Sequence, residues 1–204
     1  MIVIIDYGMG NLNSIRHKLE QVKIDVQISS DNELISKAEK FILPGVGHFK
    51  TAMENIKRLG LKKVLEDEII NKKKPILGIC LGFQLLFEHS EEGDCEGLGW
   101  IKGSVKKFSF DTNKSEKIPH VGWNNISISK DDSLFRNISK DQKFYFTHSY
   151  HVVCNSSSIL SNTHYGIDFV SAARKKNIAG TQFHPEKSHK SGFKLLKNFC
   201  DYYE

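Results

Sequence analysis

The sequence predicts an α/β fold, a central, mostly parallel sheet flanked by helices, and three observations carry that prediction. Four short runs in the first half, residues 2–5, 26–28, 41–43 and 76–79, are almost wholly apolar and rich in β-branched residues, as strands covered on both faces should be. Between them, residues 15–22 and 52–70 carry apolar side chains at helical spacing, the second run interrupted near Gly60. After Gly97 the segments shorten and turn residues separate them, which reads as strands added to the sheet, many of them antiparallel.

The elements of the second half follow in order. Residues 83–89 form a helical run directly after the fourth strand, and residues 100–108, 125–129, 143–147, 170–174 and 178–183 are the added strands. A closing helix over 190–202 places Phe193, Leu196 and Phe199 on one side. No internal repeat or linker divides the 204 residues, so the expectation is one domain spanning 1–204.

Composition narrows the function classes. Hydrophobic residues make up 39% and charged residues 26%, the balance of a soluble globular chain, and no apolar run is long enough to cross a bilayer. With no basic leader at the N-terminus, the expected location is the cytoplasm. The formal charge of +5 comes from lysines scattered through polar stretches, with no basic stripe interleaved with aromatics, so nucleic acid is not an expected partner. Cys80, Cys95, Cys154 and Cys200 are widely spaced, which indicates neither a disulfide framework nor a metal site, and leaves thiols free to react.

One of those thiols stands in a distinctive setting. Gly78-Ile79-Cys80-Leu81-Gly82 joins an apolar strand to a helical run and matches a nucleophile elbow with cysteine at the corner. The flanking glycines permit a strained turn, the helix N-terminus stabilises a thiolate, and the Leu81 amide points to where an oxyanion would form. Gln182-Phe183-His184-Pro185-Glu186 closes another apolar strand and supplies the complement. Glu186 can hold one ring nitrogen of His184 while the other faces the thiol, giving a base to activate the nucleophile and an acid to protonate the departing amine. Thiol, imidazole and backbone amides suffice for amide hydrolysis, so no metal or organic cofactor is implied. Leu43-Pro44-Gly45-Val46-Gly47 follows the third strand and can bring a second amide to the reacting carbonyl. The histidines outside the His184 motif and the 147–150 segment are expected to be structural or solvent-exposed.

With these three motifs on view, the sequence resembles the class I, or triad, glutamine amidotransferases, which have a flavodoxin-like fold. Over its whole length it is similar to the glutaminase subunits of imidazole glycerol phosphate synthases. The resemblance runs through Asp6-Tyr7-Gly8-Met9-Gly10-Asn11, Pro44-Gly45-Val46-Gly47, Gly97-Leu98-Gly99, Pro119-His120-Val121-Gly122-Trp123-Asn124 and His148-Ser149-Tyr150, in addition to the elbow and the His184 motif.

The resemblance implies that Cys80 attacks the side-chain amide of glutamine, His184 shuttles the proton and Glu186 orients it, releasing glutamate and ammonia. It implies oxyanion donors at Val46 and Leu81, and glutamine contacts at Gly47, Gln84, Glu92, Ser149 and Tyr150. It further implies a heterodimer with a (β/α)₈-barrel cyclase subunit, with Asn11, Trp123, Tyr145 and Lys187 at or near the interface, and the ammonia used in histidine biosynthesis. Departures such as Phe83, where methionine is frequent, and Trp100 and His151 remove no catalytic group. They leave open a paralogue that supplies ammonia to a cyclase-like partner aminating a surface-polysaccharide sugar.

Overall fold

A computed structural model describes residues 1–110, 116–139 and 142–203. Its elements run β1 Ile2–Ile5, α1 Leu12–Glu20, β2 Val26–Ser29, α2 Asn32–Lys37, β3 Lys40–Leu43, α3 Phe49–Arg58, α4 Leu61–Glu66, β4 Ile76–Ile79 and α5 Leu81–Leu85. There follow β5 His89–Ser90, β6 Cys95–Glu96, β7 Gly103–Lys107, β8 His120–Asn125, β9 Ser127–Ile128, β10 Lys143–His148, β11 Tyr150–Cys154, β12 Ile159–Tyr165, β13 Ile167–Lys175, β14 Ile178–Thr181 and α6 His189–Tyr202.

The main sheet has the order β2-β1-β3-β4-β14-β13-β11-β7-β5-β6, parallel from β2 to β14 and antiparallel where β14, β13, β11 and β7 meet. Strands β8 and β10 form a separate antiparallel pair. Alternate residues of the parallel strands feed two cores, as a period of two requires. Val3, Ile5, Phe41 and Leu43 pack with Ile35, Ala52, Ile56, Leu61 and Leu65 on one face. Ile2, Ile4, Ile42, Leu77 and Ile79 pack with Ile15, Leu19, Leu195, Leu196 and Phe199 on the other.

The 52–70 run divides at Gly60, as its sequence indicates, with a φ of 68° that glycine adopts without strain. Three expectations shift. Beyond α4 the run widens into a π-helical turn, Asp67–Asn71. The helix after Cys80 stops at Leu85 because the returning segment takes its carbonyls. Leu98 N–H donates to Leu85 O at 2.8 Å, Trp100 N–H to Leu86 O at 2.9 Å, and Gly99 N–H to Phe87 O at 3.0 Å. In α6 Leu195 is fully buried and Phe193 only partly, so the apolar side is rotated from the expected one.

Two close approaches position the site. A Cβ on Gly82 would lie 1.8 Å from Leu43 O, and one on Gly78 would lie 2.7 Å from Gly82 O, so the start of α5 is pressed against the end of β3. Gly82→Ala is therefore expected to lower stability by about 3 kcal/mol or more. A thermal unfolding midpoint equal to that of the parent chain would contradict this packing.

Candidate active site

The carboxyl ends of the parallel strands carry the candidate side chains, where a doubly wound sheet places its ligands. Cys80 sits between β4 and α5 with φ 54° and ψ −107°, a conformation that costs a non-glycine residue about 1–3 kcal/mol. Cys80 N–H donates to Thr181 O at 2.8 Å and Cys80 O accepts from Gln84 N at 3.1 Å, so backbone bonds on both sides hold the elbow.

His184 follows β14, the strand beside β4. Its Nδ1 lies 2.8 Å from Glu186 Oε1, and both side chains are buried. Its other ring nitrogen, Nε2, is buried as well. Burial disfavours the imidazolium, but charge and hydrogen bonding from Cys80, then Glu186, outweigh it and raise the ring to about 10. A cationic ring beside a sulfur is the setting in which a thiolate forms.

Cys80, Val46, Gly47, Leu81, Gln84, Glu92, Ser149 and Tyr150 all line one cavity of about 290 Å³, together with Pro119, Thr147 and His148. The cavity walls thus bring together every residue expected to bind glutamine or its oxyanion. His184 and Glu186 are buried and do not line the cavity. Glu92 Oε2 accepts from Phe49 N at 2.8 Å, at the start of α3.

The Leu81 amide is not free. It donates to Gly45 O at 3.3 Å, so the carbonyl of the Gly45–Val46 peptide occupies the donor expected to meet an oxyanion. This loop is crowded from below: Tyr7 Oη donates to Pro44 O at 2.5 Å, and a Cβ on Gly45 would fall 2.2 Å from that hydroxyl. Gly10, at φ 117°, lies against Gly45 and Pro44, which brings the Asn11 loop to the same place.

Trp123, Tyr145 and Lys187 gather on one patch. The Trp123 and Tyr145 rings are 5.9 Å apart, Lys187 Nζ lies 5.7 Å over Tyr145, and His189 stacks on Trp123 at 4.8 Å. Trp123 remains 42% exposed, a large apolar surface to leave in water. Asn11 stands at the N-terminus of α1 without capping it, and α1 packs beside the Pro185–Lys187 turn.

Sequence reasoning assigned no role to Gln182, Thr147, Tyr7, His120 or His148. Gln182 Nε2 donates to Cys80 Sγ at 3.7 Å, and Gln182 Oε1 accepts from Gln84 Nε2 at 3.0 Å. Thr147 O lies 3.8 Å from Cys80 Sγ. A glutamine inside an apolar strand run was the signal for Gln182, because a buried amide needs partners. His120 is buried against the cavity residue His148, within the expectation that the remaining histidines are structural or solvent-exposed.

Burial pushes His148 down to about 3 and His120 down to about 4, so both rings are neutral when folded. The unfolded chain protonates histidine near 6.5 and so binds more protons than the folded chain below that pH. Stability is therefore expected to fall as pH drops from 6.5 towards 4. The raised His184 acts at the other end: its contribution is fully present below about 6.5 and is lost progressively as pH rises through about 10. A thermal midpoint unchanged across that acid interval would contradict the assignment.

Among the described residues no group of three or more His, Cys, Asp and Glu is placed to hold a metal ion. No helix among them is long and apolar enough to cross a membrane.

A model of the class I glutamine amidotransferase family matches residues 3–202. The HisH 2 subunit of imidazole glycerol phosphate synthase from Methanococcus maripaludis is 50% identical over 200 residues, covering 98% of each chain. The HisH subunit from Leptospira borgpetersenii is 46% identical over 202 residues, covering 98% of this chain and 99% of its own. The chain belongs to the class I glutamine amidotransferases, among the HisH subunits.

The fold agrees. PurLQS from Thermotoga maritima superposes with a TM-score of 0.71 at 20% identity, covering 100% of this chain and 98% of that one. The glutaminase domain of a Trypanosoma brucei CTPS superposes with a TM-score of 0.66 at 16% identity, covering 98% and 92%. At such identities the likeness speaks for the amidotransferase fold alone.

Proposed function

We propose that this glutamine amidotransferase hydrolyses glutamine through Cys80, His184 and Glu186 and passes the ammonia to a (β/α)₈-barrel cyclase subunit in histidine biosynthesis. The observation that carries the reading is the strained Cys80 elbow opening into a cavity walled by Gly47, Gln84, Glu92, Ser149 and Tyr150, together with the buried His184–Glu186 pair.

In this mechanism Cys80 Sγ attacks the side-chain amide carbon, forming a tetrahedral oxyanion. The oxyanion collapses as His184 protonates the departing nitrogen, leaving a glutamyl thioester and ammonia. Water, deprotonated by His184, then attacks the thioester and releases glutamate and the thiol. Glu186 accepts from Nδ1–H and stabilises the imidazolium. Leu81 and Val46 amides serve the oxyanion once the Gly45–Val46 peptide turns and its carbonyl leaves Leu81. The Trp123, Tyr145 and Lys187 patch, with Asn11 beside the Gly45 loop, is where the cyclase docks and favours that turn. Residues 1–204 work as one domain, in the cytoplasm, with no cofactor.

The isolated chain is therefore expected to release glutamate slowly, and addition of the cyclase with its ribonucleotide substrate to raise kcat by about 10²-fold or more, the worth of one oxyanion donor. Equal rates with and without the loaded cyclase would refute the capped-amide account. A second reading is favoured by one observation: Methanococcus maripaludis has both a HisH 1 and a HisH 2, 48% and 50% identical to this chain. Under that reading the same chemistry feeds a cyclase-like partner that aminates a surface-polysaccharide sugar. Activation by such a partner, and none by the histidine-pathway cyclase, would select it.

A further inference from the structure

Strand β10 belongs to the small sheet and β11 to the main one, so residues 148–150 are the point where the chain crosses between them. That crossing lines the same cavity as Cys80. His148 closes the ladder with β8 opposite His120 and Tyr150 opens the ladder with β7 opposite Lys107, so Ser149 joins the two sheets, its carbonyl accepting from Phe108 N at 3.0 Å.

The polar bonds around it have a single direction. His148 Nδ1 lies 2.8 Å from Tyr150 O, an acceptor only, so Nδ1 carries the proton. His148 Nε2 is then an acceptor, and His120 Nδ1, 3.1 Å away, must donate to it. That leaves His120 Nε2 to accept from Asn124 Nδ2 at 3.5 Å; the same amide donates to His164 O at 2.9 Å. Tyr150 O accepts a second bond, from Gln84 Nε2 at 3.0 Å. Phe146 and Tyr165 sandwich the His120 ring at 4.9 and 4.0 Å, and Phe169 packs 5.1 Å from His148, so both rings sit in an apolar box. The order of donors requires two neutral rings, which is the state burial imposes on them.

We propose that His120 and His148 are a positioning pair: His120 fixes the tautomer of His148, and His148 clamps the Tyr150 carbonyl so that the crossing holds substrate in register with Cys80. The inference rests on the glutaminase reading and deepens it. His120 is a positioning residue, acting through His148 on ground-state binding. Its loss raises KM and spares kcat.

The test is glutamate release by the complex with cyclase for the parent chain, His120→Phe, His120→Asn and His120→Gln, with alkylation of Cys80 by chloroacetamide measured alongside. Phenylalanine keeps the ring stacking and removes both hydrogen bonds. Asparagine places an amide nitrogen at the position of Nδ1, whereas glutamine extends past it. The expected result is a KM for glutamine raised about tenfold in His120→Phe, the worth of one hydrogen bond, with kcat and alkylation within about threefold of the parent. His120→Asn recovers the parent KM to within about threefold, and His120→Gln does not. If His120→Phe does not fold, the contrast between the asparagine and glutamine variants decides. A parent-like KM in His120→Phe, equal KM values in the two amide variants, or kcat and alkylation falling together would overturn the proposal. A parent chain with no Cys80-dependent release would sink the glutaminase reading and the proposal with it.

Discussion

Replacing Cys80 with serine is expected to abolish glutamate release, by about 10⁵-fold or more, while the chain keeps its fold and its affinity for the partner. Sulfur and oxygen occupy nearly the same place at the elbow, and the strained backbone is held by Thr181 O and Gln84 N, which the substitution does not touch. The difference is chemical. A thiol beside the His184–Glu186 pair yields a strong nucleophile, whereas a serine hydroxyl is far less acidic and less nucleophilic. Removing the nucleophile of a unit that works together costs nearly the whole rate advantage of that unit. Steady-state release by the purified complex checks this, with circular dichroism and co-elution with the cyclase as the controls for fold and docking. Release within tenfold of the parent would remove Cys80 from the mechanism.

Glu186→Gln is expected to lower kcat by about 10³–10⁴-fold and to leave KM for glutamine within a few-fold. The carboxylate is buried, bonds His184 Nδ1 at 2.8 Å, and contributes to keeping that ring protonated. Glutamine preserves the shape but cancels the charge, and its amide can present nitrogen to Nδ1 and force the wrong tautomer. Glu186 lies outside the cavity wall, so substrate binding should be spared. A change in KM with kcat intact would assign Glu186 to binding.

The parallel half of the fold was legible in the sequence because its strands are buried on both faces, so composition alone marks them: Ile2–Ile5, Lys40–Leu43 and Ile76–Ile79 are almost wholly buried. Strands β11 and β12 were not, since Tyr150–Cys154 and Ile159–Tyr165 mix polar and apolar residues with no clean alternation, and β12 carries register shifts against β13. Residues 83–89 read as more helix than forms, because their carbonyls are taken by residues 97–101, a contact that local spacing does not reveal.

The Cys80, His184 and Glu186 motifs were readable for a physical reason. An elbow needs glycines at fixed offsets, and a carboxylate two residues from a histidine can reach its ring. The rest of the site depends on contacts between separated strands. Nothing local in His120 says that His148 will lie 3.1 Å away, and nothing in Gly45 says that its carbonyl will cap Leu81.

The central claim is that glutamine passes through a covalent bond to Cys80. Its most direct test is mass spectrometry of the chain, acid-quenched during turnover of glutamine with the loaded cyclase, alongside Cys80→Ser. A glutamyl adduct confined to the Cys80 peptide, and absent from the serine variant, is the predicted result. Glutamine consumed with no adduct, at a rate the serine variant matches, would contradict the account.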